Sequence, residues 1–175
     1  MANAVLVVDM LKGFLEEGYP LYIGEKCRSI IPDIRHLIEK EIGHGSKIYF
    51  ICDNHAPDDL EFKIFPPHCI EGTVEAQIIP ELAGYFSEII LKRRYSGFFG
   101  TTLENSLTQL NPDKLIICGV LTNICVMHTV ADAKNRDYVV EVPANCVASP
   151  DKEAHRFALK HIREVLGAII TNTGA

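Results

Sequence analysis

The chain alternates short apolar runs with longer segments in which apolar residues recur at helical spacing. Residues 4–8 and 115–118 are unbroken apolar runs, the pattern of strands that are covered on both faces. Residues 26–42 instead repeat isoleucine and leucine every three or four positions, which predicts an amphipathic helix. The whole pattern predicts strands over residues 4–8, 47–52, 88–91, 113–118, 138–142 and 168–171. It predicts helices over residues 26–42, 102–110, 122–133 and 151–166.

This alternation of strands and helices is typical of the α/β class. Strands separated by helices form a parallel sheet, because each right-handed crossover returns the chain to the same end of the sheet. We therefore expect a single-domain three-layer α/β/α fold, Rossmann-like, with a parallel sheet of about six strands and helices on both faces. No repeat or linker is visible, so we expect one domain over residues 1–175.

Composition narrows the classes of function. Hydrophobic residues make up 47% of the 175 residues, which is enough for a full core. The net charge of −6, without a Lys/Arg stripe, argues against a nucleic-acid or anionic-membrane surface. No apolar segment reaches membrane-spanning length, and the first apolar run lacks the charged leader of a secretion signal. The six cysteines lack CxxC spacing, so we expect a cytoplasmic protein with reduced thiols.

Three reactive side chains follow predicted strands. Asp9 follows the first strand, Lys92 the third, and Cys125 lies in the first turn of the helix after the fourth. Because parallel strands end at one edge of a sheet, we expect these groups to meet where open α/β sheets bind ligands. Helix N–H groups, with Thr122 or Asn123 as the cap, would favour the thiolate form of Cys125. Taken separately, Cys125 could be a packing residue, Asp9 a loop carboxylate and Lys92 a solvated charge.

A second cluster of polar residues falls in the long irregular segment at residues 54–80. Asp53 and His55 follow the second strand, and Glu61 and His68 come later in the loop. Such mixed nitrogen and oxygen donors suit Zn, Mn or Fe(II) with positions left open for water or substrate. The alternative is that Asp53 caps a turn and the histidines are surface polar groups. Long irregular segments inside compact domains are usually functional.

The chain resembles a known family in its successive sequence blocks. In chain order these blocks are VLVVDMLKGF, DNH, FPPHCIEGT, LKRRYSGFFGTTL and GVLTNICVMHTVADA. They look like the signatures of the isochorismatase-like cysteine hydrolases, and most of all like the nicotinamidase branch. The resemblance implies a catalytic triad of Asp9, Lys92 and Cys125. It also implies a cis peptide between Val120 and Leu121, which aims the N–H groups of Leu121 and Cys125 at an oxyanion.

The resemblance also implies a metal site and a substrate slot. Nicotinamidases hold one divalent metal ion through D-x-H and a later histidine, which match Asp53, His55 and His68. A fourth histidine of some members is absent here, and Glu61 is the available replacement. Zinc is the first expectation, with manganese or iron as alternatives. The side chains expected around the substrate ring are Phe14, Phe65, Tyr95 and Val120. Phe65 stands where many nicotinamidases have tryptophan, so ring stacking is retained while the fine specificity changes.

The expected activity is hydrolysis of the amide bond of nicotinamide, giving nicotinate and ammonia through a thioester on Cys125, a step of NAD salvage. The expected partners are a small-molecule carboxamide and, by resemblance, further copies of the chain in a homo-oligomer. Two enzymatic alternatives remain open: hydrolysis of a carbamoyl or ureido amide, and hydrolysis of isochorismate. The non-enzymatic alternative is a flavodoxin-like binding module, although the first loop lacks a short phosphate cradle.

Overall fold

A seven-stranded sheet with helices on both faces forms the domain in the computed structural model, which describes residues 2–173. The strand order is β3-β2-β1-β4-β5-β7, with β6 paired to β4, and the strand pairs are parallel. The strands are β1 Ala4–Val8, β2 Lys47–Asp53, β3 Glu88–Lys92, β4 Leu115–Val120, β5 Val140–Pro143, β6 Val147–Ala148 and β7 Ile169–Thr171. The helices are α1 Lys12–Leu15, α2 Glu25–Arg28, α3 Ile31–Gly43, α4 Leu103–Leu110, α5 Met127–Lys134 and α6 Lys152–Glu164. The predicted α/β/α fold class is confirmed.

Two hydrophobic cores lie on opposite faces of the sheet because side chains alternate along each strand. Val5 and Val7 of β1 point into the core that contains the buried isoleucines of α3. Leu6 points the other way, into the core that holds the buried residues of α4, α5 and α6. The fully buried residues of β1 thus serve both cores. Within residues 2–173, no helix is both long and apolar enough to cross a bilayer.

The register of the central strands brings their carboxyl ends to one edge. Val8 pairs with Ile51 of β2 and with Gly119 of β4. At the same edge, Asp53 of β2 pairs with Lys92 of β3. The residues that follow these strands therefore share one side of the molecule, which is where open α/β sheets place their ligands.

The prediction of one helix over residues 26–42 is wrong in one respect, because the segment forms two helices. α2 and α3 are separated at Ser29 and Ile30, and the hydroxyl of Ser29 donates to the Lys26 carbonyl at 2.8 Å. Pro32 lies in the first turn of α3. A continuous helix would place the Pro32 ring against the carbonyl four residues earlier and would lack an N–H donor there.

Several short elements were also missing from the expectation. They are α1, β6 and the 3₁₀ turns Leu60–Lys63, Val74–Ala76 and Ala144–Cys146. Elements of two to four residues are too short to show a periodicity of their own. The predicted cap of the Cys125 helix is wrong as well, because Thr122–Val126 form a π-helical turn without a side-chain cap at its start. Thr122 Oγ1 instead lies 2.9 Å from His155 Nδ1.

Gly119 is required by the close approach of β1 and β4. Its φ is +111°, and a Cβ atom built there would lie 2.0 Å from the Val8 carbonyl oxygen. We expect Gly119→Ala to lower the free energy of unfolding by about 3 kcal/mol or more, since rigid backbone atoms must move apart. Gly84→Ala is the matched control, because nothing lies within 4 Å of its added Cβ atom. Urea unfolding of both variants measures the difference, and equal midpoints would refute this explanation.

Candidate active site

The structure brings together the three side chains that follow the strands. Lys92 Nζ lies 2.8 Å from Asp9 Oδ2 and 3.5 Å from Cys125 Sγ. Asp9 and Lys92 are each 1% exposed, and Cys125 is 8% exposed. An acid, an amine and a thiol, all nearly inaccessible to solvent, thus meet at the carboxyl edge of the sheet.

Local backbone geometry sets the position of Asp9. Its φ of 51° lies in the left-handed region, which aspartate tolerates better than most residues. Its N–H donates to the Ile51 carbonyl at 2.8 Å, and its Oδ1 accepts from the N–H of Asp53 at 2.9 Å. The carboxylate is therefore tied to β2 through one oxygen, while the other oxygen faces Lys92.

Lys92 is held between two carboxylates. Besides Asp9, its ammonium group forms a salt bridge with Asp53 Oδ1. Burial alone would lower the pKa of Lys92, but the charges of Asp53 and Asp9 raise it well above its usual value. The side chain is therefore a permanent cation, and it offsets negative charge that builds up on its neighbours.

The environments of the two carboxylates push their pKa values apart. Burial and the charge of Asp53 raise the pKa of Asp9 to about 6, against the opposing effect of Lys92. Burial would also raise the pKa of Asp53, but the charge of Lys92 brings it below its usual value. Asp53 is therefore the permanent anion, and Asp9 is the group suited to accept and return a proton near neutral pH.

The structure corrects the expectation of a thiolate at Cys125. Burial raises the pKa of this thiol well above its usual value, Lys92 lowers it, and the charges of Asp9 and Asp53 raise it further. The resting group is thus a thiol, and its use as a nucleophile requires a neighbouring base.

The second cluster of polar side chains, expected from the sequence to hold a metal ion, lies beside the acid, amine and thiol. Asp53 Oδ2 lies 3.6 Å from His55 Nε2 and 3.8 Å from His68 Nε2. Glu61 Oε1 lies 3.9 Å from each of these nitrogens. All four side chains are at most 8% exposed, so they converge on one buried point and are not surface polar groups.

The donors of this set fit a divalent cation. The Nδ1 atom of His55 lies 3.0 Å from Asp59 Oδ2, and that of His68 lies 2.8 Å from the Pro66 carbonyl oxygen. These acceptors assign the ring proton to Nδ1 in both histidines, which leaves the Nε2 lone pairs directed at the carboxylates. His55 Nε2 is buried without a hydrogen-bond partner among the described residues, which is costly unless another group binds it. Two imidazoles with two carboxylates suit zinc, manganese or iron.

A cavity with an empty volume of about 380 Å³ is lined both by the Cys125 thiol and by Asp53, Glu61 and His68 of the histidine cluster. All four expected substrate-contact residues line it, and so does Leu121, whose peptide bond with Val120 is cis. Its lining residues are Asp9, Phe14, Leu21, Asp53, Glu61, Phe65, His68, Tyr95, Val120, Leu121, Ile124 and Cys125. No lysine or arginine is among these described residues, so the cavity favours a neutral, flat, largely apolar ligand.

Two lining residues escaped the sequence analysis. Leu21 belongs to the loop between α1 and α2, where no periodic pattern marks it. Ile124 directly precedes Cys125, and this adjacency was the available signal. Both add apolar surface to the cavity walls.

Comparison with known proteins identifies the family and fold that the chain resembles. A family model described as Isochorismatase domain matches residues 3–174. The pyrazinamidase/nicotinamidase of Streptococcus mutans UA159 is 35% identical, with a TM-score of 0.91 over 97% of this chain and 99% of that chain. The N-carbamoylsarcosine amidase of Thermoplasma acidophilum is 29% identical, with a TM-score of 0.89 over 100% of this chain and 98% of that chain. The pyrazinamidase of Pyrococcus horikoshii, solved in complex with zinc, is 29% identical, with a TM-score of 0.89 over 98% of this chain and 99% of that chain.

The family match spans nearly all of the chain, and structural neighbours with the same fold are named as amide-cleaving enzymes. The fold places a buried acid, amine and thiol beside a cavity at the expected edge of the sheet. The protein therefore belongs to the isochorismatase family and is a hydrolase of that family.

Proposed function

We propose that the protein is a metal-assisted cysteine amidohydrolase that converts nicotinamide to nicotinate and ammonia. The observation that carries this proposal is the cavity itself, which is lined by the Cys125 thiol and also by the His68 and Glu61 donors. A planar pyridine carboxamide carries its reactive carbon outside the ring and its nitrogen within the ring, so one molecule can present the carbon to the thiol and the nitrogen to the donor cluster. The aromatic walls at Phe14, Phe65 and Tyr95 suit its ring.

Hydrolysis begins with proton transfer from the Cys125 thiol to Asp9. The sulfur then attacks the carboxamide carbon, and a C–S bond forms as the carbonyl oxygen becomes an oxyanion. The N–H groups of Leu121 and Cys125 are the proposed donors to this oxyanion. The intermediate collapses with cleavage of the C–N bond, and Asp9 returns the proton to the departing ammonia, leaving a nicotinoyl thioester.

The second half of the reaction uses the same carboxylate. Asp9, now ionised again, takes a proton from water, whose oxygen attacks the thioester carbon. Cleavage of the C–S bond releases nicotinate, and the proton passes back to the sulfur. Lys92, 3.5 Å from Cys125 Sγ, stabilises the thiolate in both halves.

The proposed metal ligands are Asp53, His55, Glu61 and His68. Bound there, a divalent ion supplies a Lewis-acidic attachment point for the ring nitrogen of the substrate. The pyrazinamidase of Pyrococcus horikoshii, in complex with zinc, supports zinc as the first candidate. Phe14 and Phe65, whose rings lie 5.7 and 6.3 Å from the His68 ring, connect the aromatic walls to this end of the cavity.

The charge of the substrate distinguishes nicotinamide, which is neutral, from the alternative substrates, which are anions. N-Carbamoyl amino acids and isochorismate carry carboxylates, which need a cationic partner when they are desolvated. In this cavity that partner would have to be a bound metal ion whose charge is already balanced by Asp53 and Glu61. No lysine or arginine lines the described cavity, whereas three carboxylates, Asp9, Asp53 and Glu61, do. Membership of a hydrolase family likewise favours an enzyme over a flavodoxin-like binding module.

The test measures ammonia release from nicotinamide and from N-carbamoylsarcosine, and pyruvate release from isochorismate, on one zinc-loaded sample. We expect kcat/KM for nicotinamide to exceed that for either anionic substrate by about a hundredfold or more, because a substrate carboxylate would lie beside the lining carboxylates without a lysine or arginine to pair with. A preference for N-carbamoylsarcosine or isochorismate would refute the proposed substrate while leaving the hydrolase assignment intact.

A further inference from the structure

Asp59 lies outside the cavity but contacts the cluster of proposed metal ligands from behind. Its Oδ2 lies 3.0 Å from His55 Nδ1, and its Oδ1 accepts from the N–H of Glu61 at 3.0 Å. Arg94 Nη1 donates to the same carboxylate, at 2.9 Å from Oδ1 and 3.2 Å from Oδ2. The Asp59 side chain is only 4% exposed. Both of its oxygens are thus occupied by donors from three different residues.

We propose that Asp59 is a positioning residue that sets the metal affinity of the site by fixing two ligands at once, the ring of His55 and the backbone of Glu61. This inference rests on the metal site of the proposed function and adds a residue to it.

The first contact determines which nitrogen of His55 carries the proton. A carboxylate can only accept, so it holds the proton on Nδ1 and leaves the lone pair on Nε2. That nitrogen is the one directed at Asp53 and Glu61, and it has no partner among the described residues. Residues that orient ligating histidines in this way contribute substantially to metal affinity.

The second contact positions Glu61. Asp59 is the N-cap of the 3₁₀ turn Leu60–Lys63, and its side chain accepts from the N–H of Glu61. This capping bond fixes the start of the turn that directs the Glu61 carboxylate toward the two histidines. Arg94 completes the arrangement, because its Nη1 donates to both oxygens of the Asp59 carboxylate and holds that side chain in place.

Substitution with asparagine exploits this arrangement. Oδ1 of Asp59 accepts from the N–H of Glu61 and makes the shorter contact with Arg94 Nη1, 2.9 Å against 3.2 Å for Oδ2, so the amide oxygen of an asparagine is preferred on that side. The amide NH₂ then faces His55 Nδ1, which must become an acceptor. The ring proton moves to Nε2, and the lone pair that would bind a metal is lost. The backbone position of Glu61 is retained, so the fold is expected to survive.

The experiment titrates the full-length, metal-free protein with Zn²⁺ in competition with a chromophoric chelator. We expect Asp59→Asn to bind zinc about 10- to 100-fold more weakly than the wild type. Asp58→Asn removes an equal charge from the adjacent, exposed position and is expected to bind as the wild type does. Nitrogen-15 NMR of the metal-free protein at mildly alkaline pH should place the neutral His55 proton on Nδ1 in the wild type and on Nε2 in Asp59→Asn.

A second variant covers the case in which Asp59→Asn does not fold. Asp59→Ser keeps a hydroxyl that can cap the N–H of Glu61 but is too short to reach His55, so the same loss of zinc affinity is expected. Equal zinc affinities for the Asp58 and Asp59 variants, with the wild type binding tightly, would overturn the role of Asp59 and leave the metal site standing. A wild type that binds no zinc would overturn both.

Discussion

Replacing Cys125 with alanine should abolish nicotinamide hydrolysis, lowering kcat by about 10⁴-fold or more, as expected when a covalent nucleophile is removed. Without the sulfur, Asp9 and Lys92 remain paired but no thioester can form. Cys125 is 8% exposed and is replaced by a smaller apolar residue, so the melting temperature should change by only a few degrees. Ammonia release and thermal unfolding of the same preparation measure the two effects.

The matched control is Cys27→Ala in α2. Cys27 is also a free, buried thiol, but it lies in the core that includes α3 and does not line the cavity. Its variant should hydrolyse nicotinamide within a few-fold of the wild-type rate. If Cys125→Ala retained a comparable rate, water would be the nucleophile and the covalent route would be wrong.

Substitution of His68 by alanine should remove both bound metal and activity. His68 contributes one of the two imidazoles that face Asp53 and Glu61, and its ring also contacts the cavity wall at Phe14. We expect loss of stoichiometric zinc and a fall in kcat/KM for nicotinamide of about a hundredfold, the effect typical of lost metal-site contacts. Elemental analysis and ammonia release test this, with the exposed His36→Ala as the control.

Metal removal tests the same site without mutation. Dialysis of the wild type against a chelator should lower the activity, and Zn, Mn or Fe(II) should restore it. The His68 variant should not recover at metal concentrations that restore the wild type. A sample free of metal by elemental analysis that turned over nicotinamide at the full rate would contradict the metal assignment.

The sheet and its reactive edge were predictable because they depend on burial patterns that each strand carries locally. The apolar runs at residues 4–8 and 115–118 are fully buried in the centre of the sheet. Once those strands were parallel, Asp9, Lys92 and Cys125 had to share one edge. The residues themselves suggested Asp53, His55, Glu61 and His68 as a metal set but left the alternative of surface polar groups open. The resemblance to a known family favoured the metal set and added the expected substrate contacts.

Other features depend on contacts between distant segments. Lys92 lowers the pKa of Asp53 against the effect of burial, whereas burial raises the pKa of Cys125 although Lys92 opposes it. No local pattern in the sequence specifies these contacts. Asp59 looks like any loop carboxylate until His55, Glu61 and Arg94 are seen around it. The break before α3 is different, because Pro32 was visible in the sequence and its steric effect was given too little weight against the isoleucine repeat.

The most direct test of the account is mass spectrometry of the wild-type protein, mixed with excess nicotinamide, quenched in acid within the first turnover and digested. The account predicts that the peptide containing Cys125 becomes heavier by one nicotinoyl group, that hydroxylamine removes this group, and that Cys125→Ala shows no such peptide. A nicotinoyl group on any other residue, or nicotinate formed at an undiminished rate by Cys125→Ala, would contradict it.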